Sequence, residues 1–121
     1  MSTILLLSTD LMDTSKVRGA AQAQGVTVRT ARTADSLAKL ASESAPSLVI
    51  VDLGNPDLNL GTLMDSLRAL PQRPRIVAFG SHVDAAALNA ARSAGCDEVL
   101  PRSAFFQNVE SEIPNWVTPQ T

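Results

Sequence analysis

The sequence has one cysteine, one histidine, no tyrosine and few aromatic residues of any kind. A lone Cys96 forms no internal disulfide and no cysteine-based metal site. A lone His82 excludes a histidine-rich metal cluster. With aromatics at 3%, a base-stacking platform for nucleic acid is not expected. Ten basic residues against twelve acidic ones give a formal net charge of −2, which leaves no electrostatic footprint for nucleic acid or for an anionic membrane surface. The longest strongly apolar runs, residues 4–7 and 48–51, are far shorter than the about twenty residues that a membrane helix needs. No basic stretch leads into a long apolar one at the start, so no secretory signal is expected, and the expected location is a reducing cytoplasm.

What is present is a 121-residue chain that is 45% hydrophobic. That suits one compact domain with a core of Leu, Val, Ile and Ala. Short apolar runs alternate with helical stretches. Residues 4–7 form the first run, closed by Ser8, Thr9 and Asp10. Asp13, Thr14 or Ser15 caps a helix reaching about Gln24, with Val17, Ala20 and Ala21 on one face and Gly25 just past its end. Residues 26–30 alternate and suit an edge strand. Thr33 or Asp35 opens a second helix, ended at Ala45-Pro46. Residues 48–53 read as a central strand, apolar until Asp52, followed by a turn at Asn55-Pro56-Asp57. Leu60, Leu63, Met64 and Leu67 make a third helical stripe. Residues 76–79 are a fourth strand, closed by Gly80 and Ser81. Asp84 caps a fourth helix, and residues 98–100 form a short fifth strand. Ser103 caps a last helix with Phe106, Val109 and Ile113 in line, stopped at Pro114. Phe105 and Trp116 fall off that stripe, which marks these rare large aromatics as candidates for an interaction surface. The expected organisation is one domain over residues 1–113 and a tail over 114–121.

Five strands alternating with five helices imply a parallel sheet with helices on both faces. In such sheets functional groups gather beyond the C-terminal ends of the strands. With strand order 2-1-3-4-5, taken by analogy, that edge collects Ser8, Thr9, Asp10, Asp52, Asn55, Gly80, Ser81 and Arg102. No glycine-rich phosphate loop and no G-x-S-x-G elbow is present.

The run Leu48-Val49-Ile50-Val51-Asp52 with Asn55-Pro56 resembles the phosphoacceptor strand of response-regulator receiver domains. Residues 4–10, the helix to Gly25, and Ala94-Gly95-Cys96 before a short strand fit the same family, over roughly residues 3–113. The resemblance implies a flavodoxin-like three-layer α/β fold, with Asp52 as the candidate phosphoacceptor. The sequence departs from the family at the other site positions. Ser8 and Thr9 stand where receivers carry two acids that hold Mg²⁺. Gly80 stands near the position of a hydroxyl residue, with Ser81 next to it. Val99 replaces the switch aromatic, and Arg102, preceded by Pro101, replaces a lysine.

Hydroxyls at residues 8 and 9 bring no charge to offset dehydrating Mg²⁺, and without a metal the charge of a phosphoryl group beside Asp52 is poorly stabilised. Arg102 has a planar fork that can clamp Asp52 bidentately. Asp10 and Asp13 are expected as helix caps, His82 as a solvated loop residue and Cys96 as a small core filler. The expectation is therefore a receiver-like signalling module with a degenerate phosphorylation site. It would be neither an enzyme nor cofactor-bound, and would bind another signalling protein or a second copy of itself, with no nucleic acid and no membrane. Two alternatives remain open. One is a phosphorelay regulator phosphorylated on Asp52, the case that calls for Mg²⁺. The other is an α/β domain that binds a small ligand around Ser8, Asp52, Ser81 and Arg102.

Overall fold

The computed structural model of the chain describes residues 2–118. Strands β1 (Thr3–Leu7), β2 (Thr27–Ala31), β3 (Leu48–Asp52), β4 (Arg75–Gly80) and β5 (Glu98–Pro101) form one sheet in the order β2-β1-β3-β4-β5. Every neighbouring pair is parallel. The crossovers are α1 (Leu11–Gln22), α2 (Ala34–Ser44), α3 (Leu60–Arg68) and α4 (Ala85–Ser93), and α5 (Arg102–Trp116) closes the chain. This is a parallel sheet with helices on both faces, as the alternating pattern implies, in the flavodoxin-like strand order that the resemblance implies. Among the described residues, no helix is long and apolar enough to cross a membrane.

The central strands are apolar throughout because they are covered on both faces. Alternate residues feed two cores. Ile4, Leu6, Leu48, Ile50, Val77 and Phe79 pack with side chains of α1 and α5. Leu5, Leu7, Val49, Val51, Ile76 and Ala78 pack with side chains of α2, α3 and α4. Strand β2 lies at an edge, and its alternating exposure follows from having one covered face.

Four helices are capped by a side chain that accepts from the N–H three residues on: Asp10, Thr33, Asn59 and Asp84. Asp10 corrects the expected start of the first helix. It follows the end of β1 so closely that the helix begins at Leu11, with Asp10 Oδ1 2.9 Å from the Asp13 nitrogen. Asp13 thereby moves inside the first turn instead of capping it.

The last helix departs further from expectation. It begins at Arg102 and runs through Pro114 to Trp116, so residues 114–116 belong to the helix and not to a tail. A proline removes one backbone donor, but Pro114 is exposed and the Val117 N–H still reaches the Ile113 carbonyl at 3.0 Å. Residues 119–121 of the expected tail lie outside the described residues. Phe105, Val109, Ile113 and Trp116 are spaced by four, four and three residues, and this line is the buried one. Phe105 and Trp116 are 0% and 1% exposed, so neither is a surface anchor.

The chain has three Phe and one Trp, and all four share one cluster. Phe105 stacks on Phe79 at 4.5 Å and on Trp116 at 5.7 Å, with Phe106 edge-on to Phe79 and Phe105. The Trp116 indole donates to Glu98 Oε2 at 2.8 Å, which satisfies its one polar atom. Phe105→Ala and Trp116→Ala should each cost about 3–5 kcal/mol of stability. Urea unfolding followed by circular dichroism measures this, and an unchanged midpoint for either variant would contradict the burial.

Candidate functional site

The strand register brings Ser8 and Asp52 together. Leu7 is level with Val51, so the next residues, Ser8 and Asp52, are level with each other, and alternation turns both toward α1 and α5. Ser8 is 4% exposed, and its hydroxyl accepts from the Asp10 N–H at 3.0 Å. Thr9 is exposed and, with Ser8, lines a cavity beside β2. Asp10 is exposed, and the Asp13 N–H, the largest influence on it, holds its carboxyl below the usual range.

Asp52 is half-buried, and its Oδ1 accepts from the Gly54 N–H at 2.9 Å. Burial, the largest influence, pushes its pKa up. The Gly54 N–H and the Arg102 charge oppose this, while Asp13 and Asp10 add to the rise. Asn55 is a strut for this loop. Its N–H reaches the Asp52 carbonyl at 3.0 Å, and its amide donates to the Arg32 carbonyl at 3.0 Å.

The expected Asp52–Arg102 clamp does not form. Arg102 donates to Asp13 Oδ1 instead, and among the described residues no ion pair joins it to Asp52. The reason is burial. Asp13 is 1% exposed, so its charge is costly to leave unpaired, whereas Asp52 keeps some access to water. The guanidinium of Arg102 also lies over the rings of Phe106 (5.1 Å) and Phe79 (5.8 Å), and the Lys16 ammonium lies over Phe106 at 5.1 Å. These cation–π contacts and the ion pair hold Arg102 in one place.

Gly80 does not offer a hydroxyl-sized gap next to Asp52. A Cβ there would meet the Leu53 side chain at 3.3 Å and Leu88 at 3.5 Å. Its alternation places it on the face opposite Phe79. Ser81 is exposed, its hydroxyl accepting from the Val83 N–H at 3.4 Å.

Asp13, Phe79 and Phe106 belong to the site; the sequence reading weighs Asp13 as a replacement acid but prefers it as a helix cap, and gives the two phenylalanines no site role. A signal for Asp13 was available. Residues 13, 17, 20 and 21 fall on one helical face, so the line of Val17, Ala20 and Ala21 already includes it.

A Mg²⁺ site of the receiver kind needs free carboxylate oxygens; here Asp13 Oδ2 is buried without a hydrogen-bond partner among the described residues, while the other groups near it are partly committed. Ser8 is engaged with the Asp10 N–H, Asp10 Oδ1 with the Asp13 N–H, and Asp13 Oδ1 with Arg102. Among the described residues, no three His, Cys, Asp or Glu side chains form a metal-holding group.

Two outcomes test this geometry. Arg102→Met strands the buried Asp13 carboxylate and should cost about 2–4 kcal/mol. Adding Asp13→Asn should recover a large part of that loss, and two additive losses would show that the pair is not coupled. For Asp52, a raised folded-state pKa means the folded chain holds more protons, so its contribution to stability falls as pH rises through and above the ordinary carboxylate range. Asp52→Asn keeps an acceptor for the Gly54 N–H and removes the charge. It should be more stable than the parent near pH 7, with the difference vanishing toward about pH 3. Urea midpoints across that range measure it.

No family model matches the sequence, and no curated protein matches it. The fold matches solved structures of receiver domains. A response regulator of Hahella chejuensis superposes with a TM-score of 0.83 at 17% identity, covering 98% of this chain and 96% of that one. A receiver domain protein of Clostridium thermocellum gives 0.80 at 18%, covering 97% and 94%. The Mn²⁺-bound form of the response regulator Rcp1 gives 0.74 at 17%, covering 100% and 98%. At these identities the likeness is one of fold.

Proposed function

We propose that this chain is a receiver-type signalling module with a degenerate phosphorylation site, which works by binding another signalling protein and not as an enzyme. The observation that carries this reading is the Arg102–Asp13 pair over Phe79 and Phe106. It commits the crevice's arginine to structure. Ser8 stands where the resemblance places an acid, and Leu53 and Leu88 fill the space beside Gly80.

The interaction surface is the edge around Asp52. Leu11, Met12 and Val83 are 80%, 70% and 78% exposed, the large hydrophobic side chains that the described fold leaves open to water. Leu11 and Met12 start α1 and Val83 follows β4, so they flank β3 on both sides. Exposed apolar groups gathered at one edge favour a protein partner. That partner is a different signalling protein or a second copy of this chain.

The test is exposure to acetyl phosphate with Mg²⁺, read by intact mass, alongside a Mg²⁺ titration followed by backbone amide shifts. The expected result is an unmodified mass and no saturable shift at residues 8–10 or 52–56. A stable adduct on Asp52, or saturation of those shifts at low millimolar Mg²⁺, would overturn the reading and restore a working phosphoacceptor.

A further inference from the structure

We propose a second site, adjacent to the Asp52 crevice and sharing Ser8 with it: the cavity between α1 and the end of β2 binds a small phosphate-bearing molecule. The cavity is about 360 Å³, within the size range of small-ligand sites. Two arginines from different elements line it, Arg18 from α1 and Arg32 from the loop after β2. Neither is in an ion pair among the described residues, and no carboxylate lines the cavity. Of the two acids that adjoin lining residues in sequence, Asp10 turns its Oδ1 to the Asp13 N–H and Asp13 its Oδ1 to Arg102.

The remaining polar lining is hydroxyl. Thr9, Thr14, Ser15 and Thr30 all contribute. Ser8 adds a fifth, and since its oxygen accepts from the Asp10 N–H, its proton is free to donate. Two guanidinium forks and a ring of hydroxyl donors without a competing anion match the oxygens of a phosphate group. The exposed Leu11 supplies an apolar wall for the rest of the ligand.

The backbone at Arg32 is held in place. Its carbonyl accepts from the buried Asn55 amide, and Asn55 in turn bonds the Asp52 carbonyl. The larger cavity, about 480 Å³, lies at the opposite ends of the strands and differs in kind. Its Arg73 already faces Asp97 at 3.8 Å and donates to the Gly95 carbonyl.

The experiment titrates the full chain, without Mg²⁺, with inorganic phosphate, AMP and adenosine, each followed by backbone amide shifts. Phosphate and AMP should give saturable shifts at residues 8–18 and 30–33, and adenosine none. Arg18→Gln and Arg32→Gln should each weaken AMP binding roughly tenfold, as expected on losing one charge-assisted donor. Both arginines are exposed, so the variants should keep the parent melting temperature, which separates lost binding from lost folding. The proposal fails if neither phosphate nor AMP saturates at about 20 mM, far above a weak dissociation constant of about 1 mM. It also fails if adenosine binds as well as AMP, or if the double variant binds like the parent. The shifts at residues 30–33 and the two arginine variants report on this cavity and not on Asp52 or Mg²⁺, so failure here leaves the signalling reading standing, and the reverse also holds.

Discussion

The carboxylate of Asp13 lies beneath the first turn of α1 with almost no access to water. An ionised group in such a place needs a cation or it raises the free energy of the folded chain by several kcal/mol. Arg102 is that cation, and the requirement organises the edge of the sheet around it. The chain must leave β5 so that α5 begins at Arg102. Helix α1 must begin early enough to carry Asp13 inward, and Asp10 as its cap sets that start. The cap, the helix phase and the ion pair are thus consequences of one placement. Moving the start of α1 by a single residue would rotate Asp13 by about a quarter turn, out of the core.

The same arginine ties the site to the hydrophobic core. Its guanidinium lies over Phe106 and Phe79, and Phe79 stacks on Phe105, which stacks on Trp116. All the aromatic residues of the chain are therefore in contact, directly or in sequence, with the group that neutralises Asp13. A core otherwise built of aliphatic side chains concentrates its rings at this one place. Flat rings give a planar cation a surface that branched aliphatic side chains cannot offer. The placement of Arg102 follows from the packing of α5 as much as from its charges.

How far the sequence could be read depended on whether the relevant pattern was local. The parallel sheet was legible because residues 4–7, 48–51 and 76–79 are apolar without alternation, which only strands covered on both faces require. Asp52 was legible as the first polar residue at the end of such a run. The caps Thr33 and Asp84 were legible from residue type alone. The face of α5 was not, because Phe105 and Phe106 are adjacent and either can start an apolar line. Only the depth of Trp116 decides for Phe105, and reading Pro114 as a stop hid that residue from the helix. The partner of Arg102 was missed for a different reason. Ion pairing at a strand edge is decided by which carboxylate is more deeply desolvated, and burial belongs to the assembled structure. The resemblance pointed to Asp52, while the helical phase of residues 13, 17, 20 and 21 pointed to Asp13.

The distribution of charge bears on what such a crevice can do. Asp52 already resists ionising because it is part-buried, and the charges of Asp13 and Asp10 add to that resistance. A switch driven by a ligand needs that ligand to interact differently with two states of the protein. A phosphoryl group on Asp52 would gain most from a mobile cation that could swing toward it. Arg102 could make that move only by leaving Asp13 buried and unpaired and by giving up two aromatic rings. Asp52 keeps some access to water, whereas Asp13 is buried, so leaving Asp13 unpaired is the costlier of the two. The balance holds the crevice in one arrangement. Under the proposed signalling role, regulation would pass to groups that remain free: the exposed side chains of Leu11, Met12 and Val83, and Arg18 and Arg32 beside β2, which are in no ion pair among the described residues.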